Sequence, residues 1–340
     1  MKTSAAVIMA GVIGLLITAV SGFTVVPWLQ KLQFGSVSPN QKRNKNEIPT
    51  MGGLMLALGF CASVAVTVVT DKLLGGNIVA SGSMDASEQY TKLFSGLLMM
   101  LCFGLIGFAD DYIKAKTHRP LGLTVRQKSV AQLVVALVYI MSLSMCMGGL
   151  PYMFIPFVGM VHMGVFYWVF GIIIIYAAVN AVGFTDGVDG LCTGVTLTTA
   201  VTLGVIAAMK GLFGFSMSAS ALAGVCVGFL LWNKNPSKIY LGETGSMLLG
   251  GAIVALAFAI NCPLILLPAG IVFLIEGISA VLQVVCYKVN GKRILKAAPL
   301  HRHLEMSGMS KNKTVIIFTA VNILGGMAAV ALMYFGGYAG

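Results

Sequence analysis

The chain of 340 residues is 58% hydrophobic and only 10% charged, with a mean hydropathy of +0.92. Because soluble domains carry about 25% charged residues, this composition excludes a water-soluble globular protein, and it equally excludes a disordered chain. The formal net charge of +11 would suggest nucleic acid for a soluble protein, but for an integral membrane protein it indicates sidedness, so we expect no nucleic-acid partner.

Ten apolar segments follow one another along the chain, each about long enough to cross a membrane. A hydrocarbon core about 30 Å thick requires about 20 apolar residues in a helix. The first segment is too long for a signal peptide and has no clear cleavage site, so it is retained as a span. The predicted fold class is all-α: a polytopic integral membrane protein with about ten transmembrane helices and a single membrane domain, 1–340. The predicted spans are 4–29, 50–70, 93–109, 129–147, 163–182, 193–209, 217–232, 244–260, 263–286 and 314–335.

The basic residues predict which side of the membrane each loop faces. The loops that follow odd-numbered spans hold 18 of the 22 Lys and Arg residues, and such residues are retained in the cytoplasm. We therefore expect both termini outside, with the uncharged connection 148–162 as an outside loop. The lipid bilayer is thus the first predicted partner. The loops expected to form a cytoplasmic active site are 31–50, 110–128, 180–192, 233–243 and 287–313.

Carboxylates from three separate places share this side. Asp110 and Asp111 close an apolar span, Asp186 and Asp189 lie in the connection NAVGFTDGVDGL, and Glu243 lies in YLGETGS just before a span. Near the centre of a span each ionised carboxylate would cost about 2.5–3.5 kcal/mol, and Mg²⁺, which prefers carboxylate and phosphate oxygens, removes the conflict. Each motif alone is also compatible with a helix cap or a turn. Together they predict Mg²⁺-dependent chemistry on phosphates.

Several other polar residues fit the same chemistry. Lys114 follows Asp111 by three residues and would share its face if the helix continues. His301 and His303 lie in the longest cytoplasmic connection, where phosphate contact or interfacial packing is expected. Glu276 lies inside the ninth span, where burying a charged group in the membrane is energetically unfavourable. It is therefore either a functional residue or a neutral group hydrogen-bonded between helices. The chain has no G-x-x-x-x-G-K-[ST] motif, which disfavours a P-loop ATPase.

Six spaced motifs resemble those of the polyprenyl-phosphate N-acetylhexosamine-1-phosphate transferases, in order from about residue 30 to 335. They are PTMGG (49–53), FADDYIK (108–114), GLTVRQK (122–128), NAVGFTDGVDGL (180–191), YLGETGS (240–246) and PLHRHLE (299–305). The resemblance implies a ten-helix, Mg²⁺-dependent enzyme of the bacterial plasma membrane, often a homodimer. It further implies transfer of phospho-MurNAc-pentapeptide from UDP-MurNAc-pentapeptide to undecaprenyl phosphate, giving lipid I and UMP in peptidoglycan synthesis.

The resemblance also implies roles for individual residues. The implied catalytic residues are Asp110, Asp111, Lys114, Asp186 and Asp189, and the implied metal ligands are Glu243 and Asp186. The implied substrate-binding residues are Lys45, Thr50, Lys128, Asn180, Asn233, Tyr240, Gln283, His301, Arg302 and His303.

The chain departs from the family pattern at four places. The segment that reads Lys-x-Gly-Thr-Pro-Thr in the family carries Glu47 and Ile48 here, and Gly183 replaces an Asn. Glu243 replaces a metal-binding Asp with a longer arm, and Arg302 replaces the middle His of three. These changes affect individual contacts and leave the reaction class in place.

The mechanism and the function each have alternatives. One hypothesis makes Asp110 the general base for attack by the lipid phosphate, with Mg²⁺ on the donor diphosphate. The other makes an Asp a covalent nucleophile in two steps. Rival functions are a related UDP-GlcNAc:undecaprenyl-phosphate GlcNAc-1-phosphate transferase, a membrane transporter, whose acids would lie at mid-depth, and a structural membrane scaffold.

Overall fold

The computed structural model describes residues 2–32, 34, 48–82, 84–117, 121–149 and 151–338. Within these residues the chain is predominantly helical, with one short hairpin. The helices are α1 (Thr3–Lys31), α2 (Gly53–Leu73), α3 (Ala86–Thr117), α4 (Val125–Cys146), α5 (Val165–Thr185), α6 (Leu191–Met209), α7 (Phe213–Asn233), α8 (Gly242–Ala259), α9 (Leu266–Ala269), α10 (Ile271–Asn290), α11 (Leu300–Met306) and α12 (Lys311–Phe335), and the strands are β1 (Tyr152–Ile155) and β2 (Gly159–His162).

Ten of the helices in the described part of the chain, α1–α8, α10 and α12, are long and apolar enough to cross a membrane. The prediction of about ten transmembrane helices is therefore confirmed. The largest difference in extent is at α3, which has 32 residues and continues to Thr117, whereas the predicted span ends at 109. Asp110, Asp111 and Lys114 therefore lie inside a helix rather than at its end.

The interior of the bundle is formed by α6, α7 and α8, which are the most buried spans, while α10 and α12 are among the most exposed. Helix α8 packs against α3 and α5. Small residues allow this close approach: a Cβ built on Gly107 of α3 would lie 2.2 Å from the backbone oxygen of Glu243. The carboxyl end of α3 thus lies directly beside the first turn of α8.

The ninth predicted span, 263–286, is not one helix. It begins with the 3₁₀ turn Pro263–Ile265 and the short helix α9, and the long helix α10 starts only after Gly270. The break leaves the carbonyl of Ala269 without a partner in its own helix. Thr199 Oγ1 donates to that carbonyl at 3.0 Å, and Asn322 Nδ2 donates to it at 3.2 Å. Backbone groups inside a membrane must be satisfied by protein in this way.

The predicted outside loop 148–162 contains the antiparallel hairpin β1–β2. The Phe154 amide donates to the carbonyl of Asn261 at 2.7 Å, and the Phe154 ring packs edge-on against Tyr338 at 4.9 Å between centroids. Buried Lys92 pairs with Glu88 at 2.6 Å and also hydrogen-bonds Asn261. The hairpin therefore lies at the amino-terminal end of α3, opposite to Asp110 and Asp111.

Candidate active site

Acidic and basic side chains from α3, α4 and α8 meet at the carboxyl end of α3. Lys114 Nζ lies 2.5 Å from Asp110 Oδ2, one helical turn earlier. Lys128 Nζ lies 2.7 Å from Glu243 Oε2, and Lys114 Nζ lies 3.9 Å from Glu243 Oε1. The two lysines and two carboxylates thus form a continuous chain of alternating charge. The predicted partner of Lys114 was Asp111, but the ion pair is made by its neighbour Asp110.

Asp111 caps α8. Its side chain is buried, and it accepts hydrogen bonds from the Thr244 amide at 2.9 Å, the Thr244 hydroxyl at 2.7 Å and the Glu243 amide at 3.3 Å. The first amide groups of a helix have no partner within the helix, and negative charge is favoured there by the helix dipole. Asp111 therefore fixes α3 to the first turn of α8 and sets the position of Glu243.

Asp110 and Lys128 are held by the segment that enters α4. The Leu123 amide donates to Asp110 Oδ1 at 2.8 Å. Thr124 caps α4 in a reciprocal capping box with Gln127, an arrangement that satisfies two otherwise unpaired amides. Because this box fixes the first turn of α4, Lys128 projects from a defined position toward Glu243.

Asp186 lies at the carboxyl end of α5, beside the first turn of α8. It is half-buried. Loss of surrounding water, followed by the nearby carboxylates of Glu243, Asp111 and Asp189, raises the pKa of Asp186 to about 8, partly offset by a hydrogen bond from the Gly242 amide. A carboxyl group with this pKa is protonated at neutral pH unless a cation is bound beside it.

Asp189, four residues from the end of α5, is held by different partners. The Ser237 hydroxyl donates to its Oδ1 at 3.2 Å, and Lys311 Nζ lies 3.6 Å from its Oδ2. The connection containing Asp186 and Asp189 is further fixed by Asn233, whose Oδ1 accepts from the Gly190 amide at 3.0 Å. Gly190 has a φ of +81°, a conformation that favours glycine.

The carboxylates at this site could supply some, but not all, of the ligands of a Mg²⁺ ion. Within the described residues, no three His, Cys, Asp or Glu side chains converge to hold a metal by themselves. Mg²⁺ in phosphate-transfer sites is commonly held by one or two carboxylates together with substrate phosphates and water. Asp186 offers hard oxygen atoms with few internal partners and close to other carboxylates, whereas the oxygens of Glu243 already face two lysines. Of the two predicted ligands, Asp186 fits better.

Three predicted substrate-binding residues make hydrogen bonds inside the protein. Asn233 Nδ2 donates to the carbonyl of Ile239 at 2.9 Å, which joins the end of α7 to the connection before α8. Gln283 Oε1 accepts from the Leu295 amide at 3.0 Å. Asn180 Nδ2 donates to Gln132 Oε1 at 3.0 Å and to the carbonyl of Tyr176 at 2.8 Å. The contacts of Asn233 and Gln283 fix connections between helices, and the contact of Asn180 with Gln132 joins α5 to α4.

Tyr240 and Thr50 lie on two segments that pair with each other next to α8. The Tyr240 amide donates to the carbonyl of Pro49 at 2.9 Å, and the Gly52 amide donates to the carbonyl of Tyr240 at 3.0 Å. Tyr240 is half-buried, so part of its ring is open to a ligand. The predicted binding residue Lys45 lies outside the described residues.

The histidine motif lies on α11. His301 is fully buried and pairs with Glu276, the acid that lies inside the ninth predicted span. His303 Nδ1 accepts from the Lys296 amide at 3.1 Å. Arg302 is exposed. His301 also contacts the Asp186–Asp189 connection, since a Cβ built on Gly187 would lie 2.1 Å from His301 Nε2.

Three residues that contact the acidic side chains were not predicted from the sequence. Thr244 binds Asp111, and both Ser237 and Lys311 bind Asp189. Thr244 follows Glu243 in the first turn of a helix, where hydroxyl residues commonly take part in capping, and that signal was available. Ser237 and Lys311 reach Asp189 only through the tertiary fold.

Comparisons with known proteins point to one family. The sequence profile of glycosyl transferase family 4 matches residues 93–261. A phospho-N-acetylmuramoyl-pentapeptide-transferase of Carboxydothermus hydrogenoformans is 36% identical, covering 89% of this chain and 91% of the relative. The proteins of the same name from Desulfitobacterium hafniense and Halalkalibacterium halodurans are each 35% identical, covering 95% and 94% of this chain and 96% and 95% of the relatives.

Proposed function

The chain belongs to the phospho-N-acetylmuramoyl-pentapeptide-transferase family, and from this membership we propose that it transfers phospho-MurNAc-pentapeptide from UDP-MurNAc-pentapeptide to undecaprenyl phosphate. The products are lipid I and UMP. This reaction joins a water-soluble nucleotide sugar to a membrane lipid, so it requires an active site at the edge of the bilayer. The carboxylates and lysines at the helix ends around α8 supply such a site.

The observation that carries the proposal is the chain of charges Asp110–Lys114–Glu243–Lys128 beside Asp186. Phosphoryl transfer depends mainly on positioning and on neutralising charge. The first amides of α8 are already engaged by Asp111. The phosphates of the donor must therefore be neutralised by side chains, and Lys114 and Lys128 are the half-buried cations at this place.

We assign the chemical steps as follows. A phosphate oxygen of undecaprenyl phosphate attacks the phosphorus that carries the sugar, and the bond between that phosphorus and the UMP oxygen breaks. Asp110, held by Lys114 and the Leu123 amide, accepts the proton of the lipid phosphate. Lys114 and Lys128 stabilise the charge that develops on the phosphate oxygens. Asp186, with Glu243, would hold a Mg²⁺ ion, which would supply further neutralisation of the diphosphate charge.

The location of the site follows from the loops. We place it on the cytoplasmic side of the bacterial plasma membrane, with both termini outside and two copies forming a homodimer. The distribution of Lys and Arg supports this orientation. Arg126→Cys, exposed at the start of α4, should react with a membrane-impermeant maleimide in inside-out but not in right-side-out vesicles. The opposite labelling pattern would reverse the orientation.

The proposed reaction is tested by measuring UMP release by the purified protein in detergent. Release should require UDP-MurNAc-pentapeptide, undecaprenyl phosphate and Mg²⁺ together. Release from UDP-GlcNAc instead would assign the related GlcNAc-1-phosphate transferase activity. If neither donor reacts, or if Asp110→Asn, Asp189→Asn and Glu243→Gln all keep full Mg²⁺-dependent release, the catalytic proposal is wrong. A phosphorylated Asp trapped in the absence of lipid would replace direct attack by a two-step route.

A further inference from the structure

Glu276 is a fully buried acid within the membrane-spanning helix α10. An acid in this position is costly and calls for a partner. Both of its oxygens are engaged by one residue: the His301 amide donates to Oε1 at 3.0 Å, and His301 Nδ1 lies 2.8 Å from Oε2. Glu276 is therefore bound to the backbone and to the ring of His301 at the same time, which fixes the direction of the imidazole.

The contact with Glu276 determines which ring nitrogen is available. Oε1 of the carboxyl group already accepts from the His301 amide. In the arrangement in which Oε2 also accepts, the hydrogen lies on the nitrogen that faces it, Nδ1. In metal and catalytic sites a carboxylate behind a histidine sets the tautomer of the ring in the same way. The opposite nitrogen, Nε2, is left as the ring atom that can contact a ligand.

His301 Nε2 is buried and has no hydrogen-bond partner among the described residues. It points to Gly187, at which an added Cβ would lie 2.1 Å away. Gly187 lies between Asp186 and Asp189, in the connection assigned to the reaction. A buried polar atom without a partner is unfavourable, and here it lies against the connection that also carries Asp186 and Asp189.

We propose that Glu276 is a positioning residue that, through His301, presents Nε2 to a phosphate oxygen at the Asp186–Asp189 connection. The proposal rests on the phosphotransferase function proposed above. Because Glu276 holds the ring through Nδ1 and through the His301 amide, Nε2 is fixed in the direction in which it can form a hydrogen bond with a phosphate oxygen. The phosphate belongs either to the nucleotide sugar or to the lipid, and the kinetic test separates these sources.

The test compares UMP release by wild type, Glu276→Gln, His301→Gln and the double variant, with donor and lipid varied separately. We expect each single change to lower kcat/KM about 10- to 100-fold, the range for residues that orient a histidine from behind. If Glu276 acts through His301, the double variant loses no more activity than His301→Gln alone. A rise in the KM for the donor assigns the phosphate to the nucleotide sugar, and a rise in the KM for the lipid assigns it to undecaprenyl phosphate.

Ser279→Ala is the matched control. Ser279 lies one turn from Glu276, and its hydroxyl accepts from the Leu300 amide at 3.0 Å and donates to the backbone carbonyl of Glu276 at 2.8 Å. The variant therefore removes backbone contacts of α10 and of the start of α11 while leaving the Glu276 side chain paired with His301. Its kcat/KM should stay within about twofold of wild type, because a neutral hydrogen bond contributes little net free energy. An equal loss in Ser279→Ala and Glu276→Gln would assign Glu276 a purely structural role.

A spectroscopic measurement tests the pair independently of activity. The chain has four histidines, so ¹⁵N-histidine labelling gives a simple ring spectrum, with His301 assigned by its loss in His301→Gln. Wild type should show a protonated Nδ1 at His301, and added UDP-MurNAc-pentapeptide or undecaprenyl phosphate should shift Nε2 more than Nδ1. No shift with either substrate, an active Glu276→Gln, or additive losses in the double variant would overturn the inference. Absence of UMP release by wild type would instead overturn the proposed function.

Discussion

In the proposed mechanism a proton and a divalent cation would compete for Asp186, and this competition predicts a pH dependence whose sign follows from the pKa of that group. The pKa of Asp186 is about 8 in the folded protein, against an ordinary value of 3.8. Between these two values the folded chain keeps a proton that the unfolded chain has lost. The metal-free protein therefore loses stability as the pH rises from about 4 to 8. Mg²⁺ bound at Asp186 would displace the proton, so the apparent affinity of the protein for Mg²⁺ should rise over the upper part of the same window.

The size of this effect follows from one displaced proton. Apparent Mg²⁺ affinity should increase about tenfold per pH unit below pH 8 and level off above it, so that binding at pH 6 is about 100-fold weaker than at pH 9. The assay is Mn²⁺ binding to the detergent-solubilised protein followed by electron paramagnetic resonance, with the Mg²⁺ concentration for half-maximal UMP release measured in parallel. Asp186→Asn should abolish the slope.

Asp189→Asn is the control for this titration, because Asp189 is three residues away and is held by Ser237 and Lys311. Its variant should keep the slope of wild type, even where activity falls. A metal affinity that is constant from pH 6 to 8, or a slope that survives Asp186→Asn and disappears in Asp189→Asn, would refute the assignment of Asp186 as the site where proton and metal compete.

Three further changes test the surroundings of this site. Lys128→Gln should lower kcat/KM for UMP release about 10- to 100-fold, since a charge-assisted contact contributes about 1.5–3 kcal/mol. The control is Arg126→Gln, at an exposed position on the same helical turn, whose kcat/KM should stay within about twofold of wild type. Equal losses in the two variants would contradict the role of Lys128. Asp111→Ala should destabilise the protein by about 1–3 kcal/mol through loss of the α8 cap, seen as a lower melting temperature in detergent, and an unchanged temperature would contradict the capping role. Gly187→Ala should abolish UMP release, because its Cβ would lie 2.1 Å from the His301 ring. Gly183→Ala, whose Cβ meets no atom within 4 Å, should be tolerated. Equal effects of the two changes would show that the close contact between Gly187 and His301 is unimportant.

The spans were predictable because membrane insertion depends on consecutive residues. Ten apolar segments of sufficient length gave the number of membrane-spanning helices found in the described part of the chain, and errors were confined to the ends of the segments and to one break. The break before α10 involves Gly270 and nearby prolines, which the sequence shows. What makes it stable is the pair of donors Thr199 and Asn322 on other helices, and their proximity to Ala269 is a property of the tertiary fold. The hairpin β1–β2 was not predicted for a related reason. Each strand has only four residues, and the hairpin is held by a contact of Phe154 with Asn261, just after α8.

The division of labour among the acidic residues was the least predictable part of the site. Asp110 and Asp111 are adjacent in sequence and equivalent by composition, yet successive residues on a helix point about 100° apart. One therefore faces Lys114, and the other faces the first turn of α8. Only the packing of α3 on α8 decides which is which, and Gly107 makes that packing close enough for the Asp111 cap to form.

The same packing explains why so many polar residues at this end of the protein bind one another. These residues are arranged around the first turn of α8. Asp111 of α3 caps this turn, Asp186 lies beside its Gly242 amide, and the segment at Thr50 pairs with Tyr240 just before it. Asn233 ties the end of α7 and the connection at Gly190 to the same region. Some of the groups that orient this region lie within the six motifs, as Asp111 and Thr244 do, and others, such as Asn233, lie outside them. A residue in one of these motifs can therefore serve to position a neighbouring group.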